Sequence, residues 1–254
     1  MSERLHADDT GGGGDVLVLL HGFAGSYAVW DEVRAALPAG LRVIAYDLPG
    51  HARSLSHSGA GKAKAAAAAV VNDLAARGVN RFHLAGHSFG GAAAVLTALA
   101  VPERIASLTL IAPGGFGPEI DGAAMAARAA ARDADEMRAG LAAMFGPHVA
   151  LPRTLVEQAM RLSRLPGQRE KLIEISSMIA SGNRQGAFPR DSLLALPRPV
   201  HVIWGTRDTV LPIAQADHLP DGFVLHRLED CGHMLPEEAP LAVARILRSV
   251  VAGN

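Results

Sequence analysis

Three glycines crowd into six residues at Gly86-His87-Ser88-Phe89-Gly90-Gly91, between two segments of opposite character. Before them, Arg81-Phe82-His83-Leu84-Ala85 is a short apolar run that reads as a buried strand. After them, Ala92-Ala93-Ala94-Val95-Leu96-Thr97-Ala98-Leu99-Ala100 is good helix composition. A strand must therefore become a helix within a few residues, and the glycines keep Cβ atoms out of a turn that tight. Such a turn lifts the side chain at its apex, Ser88, above the end of the strand. A glycine-rich turn with an incidental serine is the plainer reading, and the rest of the chain decides between them.

The surrounding segments repeat the same rhythm. Val16 to Leu20 is a continuous apolar run, as expected of a strand buried on both faces. Ser26 to Leu37 has helical spacing, Leu41 to Tyr46 reads as a strand, Lys62 to Arg77 as an alanine-rich helix and Ile105 to Ala112 as a strand. This alternation implies βαβ units and a mostly parallel, doubly wound α/β sheet. From Pro113 to about Arg190 no strand candidate occurs. Three helical patterns, near 120–145, 152–164 and 168–181, read instead as a helical cap inserted at 113–190 into a core of 1–112 and 191–254. Val200 to Trp204 and Gly222 to Leu228 then resume the strands, with a short helix at Pro212 to His218 and a closing helix from Glu237 to Val251.

Composition narrows the partners. The chain of 254 residues carries 24 basic and 25 acidic residues without a basic block, which argues against nucleic acid or an anionic membrane surface. Its single cysteine, Cys231, excludes an internal disulfide and fits a reducing, cytoplasmic setting. Met1 to Thr10 is too polar for a signal peptide, no apolar run is long enough to span a bilayer, and Gly11 to Gly14 read as a flexible lead-in. No metal-ligand spacing and no phosphate-cradling glycine motif occurs, so no metal and no cofactor is expected. The expected partner is a small-molecule acyl substrate, with a homodimer left open.

A serine hydroxyl needs a base, and the base an orienting carboxylate. Two later loops supply candidates: Trp204-Gly205-Thr206-Arg207-Asp208 and Cys231-Gly232-His233, each after a strand. Functional groups of open α/β sheets gather beyond the carboxyl ends of the strands. Ser88, Asp208 and His233 would all project there. His87 is a poor alternative base, because neighbours in a tight turn point apart. His21 reads as a structural hydrogen-bonder, His83, His201 and His226 as sheet residues, and His148 and His218 lie in or near helices without an acidic partner.

At this point the chain resembles the α/β-hydrolase family over nearly its whole length. The matching pieces are His21-Gly22-Phe23, Asp47-Leu48-Pro49-Gly50-His51-Ala52-Arg53-Ser54, the turn at Ser88, Trp204 to Asp208, and Gly232-His233. The resemblance implies Ser88 as nucleophile, His233 as general base and acid, and Asp208 as its orienting partner. It also implies an oxyanion hole from the backbone N–H groups of Phe23 and Phe89. Many relatives start with an antiparallel hairpin; here only about fifteen mostly polar residues precede Val16, so the sheet is expected to start short.

Expected pocket linings are His51, Phe116, Met144, Phe145 and Met234. Arg128, Arg161, Arg164 and Arg184 in the cap would face solvent by default or hold a substrate carboxylate. The stretch from Leu108 to Ile120 and the continuation Ser181-Gly182-Asn183-Arg184-Gln185 look most like the hydrolase-like acetyltransferase component of bacterial acetoin dehydrogenase systems, although no lipoyl-domain sequence is present. The expected activity is serine-dependent hydrolysis of an ester, thioester or similar acyl substrate. The alternatives are acyl transfer to a thiol or alcohol, carbon–carbon bond or enol-lactone hydrolysis, and an inactive ligand-binding member.

Overall fold

The computed structural model describes residues 4–197, 199–217 and 219–253. Its core is a seven-stranded sheet made of β1 (Ala7–Asp9), β2 (Val16–Leu20), β3 (Arg42–Tyr46), β4 (Phe82–His87), β5 (Ile105–Ile111), β8 (Val200–Gly205) and β9 (Phe223–Leu228). The spatial order is β1-β3-β2-β4-β5-β8-β9, and every pairing except β1 with β3 is parallel. Parallel strands covered on both faces should be apolar throughout. Val18, Leu19, Leu20, Ile44, Leu108, Leu110, Val202 and Ile203 all have no exposed surface.

The polar N-terminus does not leave the sheet short, as expected from sequence; it adds the antiparallel edge strand β1. Asp9 lies opposite Ile44, and its carboxylate accepts from Arg42 Nε at 2.9 Å and Nη2 at 2.8 Å. Thr10 exchanges two further bonds with Val43. Charged residues can therefore form this strand because Arg42 on the neighbouring strand pairs with Asp9 and Arg34 on a flanking helix pairs with Asp8. Gly11 and Gly12, with φ of +70° and +100°, turn the chain back into β2, a course that L side chains rarely follow.

Helices α1 (Asp31–Ala35), α2 (Ala63–Ala76), α3 (Phe89–Ala100) and α10 (Pro240–Val251) flank the sheet. The closing helix expected from Glu237 is two pieces, α9 (Leu235–Glu238) and α10. Pro240 lacks the N–H needed to continue α9, so Ala239 adopts φ −139° and the helix restarts. The short helix expected at Pro212 is a 3₁₀ turn at Ile213–Ala216.

Between β5 and β8 the chain runs through α4 (Gly122–Ala130), α5 (Ala134–Ala142), α6 (Arg153–Ser163), α7 (Gln168–Ile179) and the short α8 (Arg190–Leu194). The pattern at 120–145 is thus two helices. Asp133 ends the run by capping the N–H groups of Asp135 and Glu136. A small hairpin, β6 (Ala180–Ser181) with β7 (Arg184–Gln185), occupies ground where no strand was expected, turned at Gly182. Two-residue strands are too short to leave an alternating pattern. Among the described residues no helix is long and apolar enough to cross a membrane.

Candidate active site

The chain first winds from β2 outward to β3, then returns to place β4 on the other side of β2. The carboxyl ends of β2 and β4 therefore border the crevice where winding reverses, the usual ligand site of open sheets. β2 leads to Phe23 and β4 leads to Ser88. Ser88 has φ +53° and ψ −116°, a strained conformation for a residue with a Cβ. Three backbone bonds hold it: its N–H donates to Ile111 O at 2.9 Å, and its carbonyl accepts from Ala92 N and Gly114 N, both at 3.0 Å. A Cβ on Gly86 would overlap the Gly90 carbonyl, and one on Gly90 would overlap the Leu20 and His21 carbonyls. Sequence reasoning located this crowding, and here it has named atoms.

Ser88 Oγ lies 2.9 Å from His233 Nε2, and His233 Nδ1 lies 2.8 Å from Asp208 Oδ2. The three side chains come from loops after β4, β8 and β9. His233 and Asp208 are buried, at 4% and 7% exposure, so the contact is shielded from water. The other oxygen of Asp208 accepts from Val210 N at 2.9 Å and Leu211 N at 2.8 Å, which fixes the carboxylate. Phe89 is the first residue of α3, where an N–H has no acceptor in a preceding turn. Phe23 follows Gly22, whose Cα sits so close to the elbow that a Cβ there would lie 2.7 Å from His87 Nδ1.

Two cavities lie near the elbow, and Ser88 itself lines one of them. One, of about 300 Å³, is lined by Ser88, Phe89, Ile120, Met125, Met178 and Phe188, among others. The other, of about 400 Å³, is bounded by Phe23, His87, Arg128, Met144, Met234 and Glu237, among others. Met144 and Met234 thus stand at a cavity wall, as expected. Three other expected linings stand in neither of these two cavities. Phe116 packs edge-on against Trp204 and Phe223, at ring separations of 6.3 and 6.5 Å, because its loop turns back onto the sheet. Phe145 is buried where the helical segment meets the Gly232 loop. His51 is fully buried beneath Phe23 and Phe89, with ring separations of 6.2 and 6.1 Å, and supports both rings from below.

A model of the "Alpha/beta hydrolase family" matches residues 17–246. The chain belongs to the alpha/beta hydrolase family. It is 36% identical over 229 residues to the dihydrolipoyllysine-residue acetyltransferase component of the acetoin cleaving system of Pseudomonas putida, covering 90% of this chain and 61% of that protein. The chain thus spans less than two thirds of that relative. It is 31% identical to a 2-hydroxy-6-oxononadienedioate/2-hydroxy-6-oxononatrienedioate hydrolase of Burkholderia vietnamiensis, covering 91% of this chain and 84% of the relative. A meta-cleavage product hydrolase from Pseudomonas fluorescens superposes with a TM-score of 0.85 at 24% identity, covering 98% and 94% of the two chains; at that identity the likeness concerns the fold.

In this alpha/beta hydrolase, the His233 loop is held by His87, weighed from sequence only as an alternative base, and by Glu238, which the sequence did not mark. His87 Nε2 lies 2.8 Å from the His233 carbonyl. Since a carbonyl only accepts, this nitrogen carries the proton, and burial holds His87 neutral by lowering its pKa to about 3. Glu238 accepts from Gly146 N and Gly232 N at 2.8 Å and from Met234 N at 2.9 Å. One carboxylate thereby ties the helical segment to the loop on either side of His233. No short motif marks Glu238; in sequence it is an acid near a helix start. His21 takes the structural role expected of it, with Nδ1 2.7 Å from Gly22 O and Nε2 accepting from Leu48 N at 2.9 Å. His218 lies outside the described residues.

Proposed function

We propose that this alpha/beta hydrolase cleaves an ester, thioester or similar acyl substrate through an acyl-serine intermediate. One observation carries the reading: a strained serine at a cavity wall is hydrogen-bonded to a buried histidine that is itself fixed by a buried aspartate. Ser88 Oγ attacks the acyl carbon as His233 Nε2 takes its proton, and Asp208 stabilises the imidazolium. The N–H groups of Phe89 and Phe23 receive the developing oxyanion. As the tetrahedral adduct collapses, the bond to the leaving group breaks and His233 returns the proton to it. Water then repeats the sequence on the acyl-serine, releasing the acid and restoring Ser88. The helical segment 113–190 acts as the cap over this chemistry.

A fluorophosphonate probe is expected to label the protein at Ser88 and to leave Ser88→Ala unlabelled. His233→Ala is expected to lower ester turnover on the order of 10⁴-fold. An unlabelled, folded wild-type protein would remove the nucleophile from the scheme. Acyl transfer is the second reading, favoured by the 36% identical relative named as an acetyltransferase component. It predicts faster release of the acyl group when a thiol is added, with thioester as product. Hydrolysis predicts no acceleration and free acid.

A further inference from the structure

The sequence leaves Arg128 as one of four arginines that face solvent by default. Arg161, Arg164 and Arg184 do so, but Arg128 is only 7% exposed and lines the larger of those two cavities, whose wall also holds His87 and Met234, the chain neighbours of Ser88 and His233. A buried guanidinium normally has a carboxylate for a partner. This one has Met137 Sδ at 2.7 Å from Nη1 and the Ala24 carbonyl at 3.4 Å from Nη2, a thioether and a long contact for a fork of five donors. Among the described residues no ion pair forms at Arg128.

Two carboxyl groups share the cavity, and neither is in ion-pair contact with Arg128. Asp47 is committed elsewhere, accepting from Tyr27 N at 2.8 Å and Arg53 N at 3.2 Å and standing 2.9 Å from His6 Nδ1. Glu237 has a buried Oε2 without a hydrogen-bond partner; burial pushes its pKa up to about 8, while the charge of Arg128 acts in the opposite direction. Arg53 and Arg161 add exposed positive charge to the same wall. The cavity is apolar along Phe23, Leu141, Met144 and Met234, and holds one desolvated cation short of acceptors.

We infer that this hydrolase acts on substrates that carry a carboxylate a few carbons from the scissile bond, and that Arg128 binds it bidentately in the larger cavity. The inference rests on the acyl-serine reading above and names its substrate class: half-esters of dicarboxylic acids, or esters of a hydroxy acid. The planar guanidinium matches two carboxylate oxygens, and the dry site strengthens both bonds.

The test compares aryl hemiglutarate with aryl pentanoate, which puts the carboxylate on the acyl side, and 4-carboxyphenyl acetate with 4-methylphenyl acetate, which puts it on the alcohol side. In one pair the charged ester should have a kcat/KM about 10-fold or more above its neutral match, the scale of a charge-assisted hydrogen bond. Arg128→Met should bring that ratio close to one, Arg128→Lys should leave it intermediate, and Arg164→Gln should preserve it. Binding gives a readout independent of turnover: glutarate or 4-hydroxybenzoate should raise the Tm of the wild type and not of Arg128→Met. Ratios near one in both pairs, with the neutral esters turned over, would overturn the inference and leave the acyl-serine reading standing. A ratio unchanged in Arg128→Met, or a lower Tm of that variant with the preference kept, assigns Arg128 to packing alone and also overturns it. No turnover of any ester together with a carboxylate-dependent rise in Tm would sink the reaction and keep the site.

Discussion

Ser88 combines a strained backbone with the nucleophile's place in the proposed reaction. Its φ of +53° is held by hydrogen bonds at both its N–H and its carbonyl, so the elbow stores backbone energy that the sheet and α3 must offset. Replacing it with the residue that tolerates this region should show the cost. Ser88→Gly is expected to stabilise the fold by about 1 kcal/mol in urea unfolding while abolishing probe labelling. An unchanged or lower midpoint would mean that the side chain contributes more packing than its backbone costs. The residue scale also shows where sequence was sufficient. Glycines at ±2 and +3 of the serine could be read as a crowding requirement, and the atoms they avoid lie in the same turn or at the ends of the two neighbouring strands, at Leu20, His21 and Pro113. Arg128 could not be read in that way. A single arginine among alanines looks solvated until the loop at Ala24 and Met137 of α5 close over it.

At the scale of elements, strands and helices of the core followed from period and composition, and breaks in them followed from proline and aspartate. What holds the elements together at the site is the Glu238 carboxylate, whose three acceptor contacts join residues 146, 232 and 234. Glu238→Gln keeps the shape but presents an amide N–H to at least one of those N–H groups. It is expected to cost about 1 kcal/mol of stability, the low end of the penalty for an unsatisfied donor, because these contacts are only partly buried. Ester kcat should fall, because Gly232 and Met234 flank His233. Thermal denaturation and steady-state kinetics of the one variant measure both, and wild-type values would show that the loop is held by packing alone. The polar edge strand β1 belongs to this scale too. Its hydrophobic pattern is weak because its pairing is secured by Asp9 and Arg42, and a pattern of burial cannot report an ion pair made across strands.

Across the whole molecule, buried titratable groups set the pH range of stability. Burial drives His21 well below its ordinary pKa, His51 to about 4 and His87 to about 3. Each is neutral when folded, and the unfolded chain takes up its proton first. The stability they contribute is therefore complete above about pH 6.5 and declines as the pH falls toward their folded values, by about 1.4 kcal/mol per unit for each histidine. Glu237 acts in the opposite sense. Its folded pKa of about 8 lies above its ordinary value, so its contribution is full below about pH 4.5 and lost as the pH rises to 8. Three histidines outweigh one acid, so urea midpoints are expected to fall from pH 7 to pH 5, and to fall more steeply in Glu237→Gln. A flat profile would mean that these rings take up protons in the folded state.

By itself the sequence determined the alternation of strand and helix, the turn at Ser88, and the order in which Ser88, Asp208 and His233 reach the same end of the sheet. These are legible because period, glycine spacing and position after a strand are local properties, written within ten or so residues of each other. The tertiary structure alone decided that His87 would anchor the His233 carbonyl, that Glu238 would bridge two loops, that His51 and Phe116 would pack against other aromatic rings, and that Arg128 would be buried without an ion-pair contact. Each of these depends on which side chain closes over which from a distant part of the chain. A residue's own neighbours carry no record of that packing.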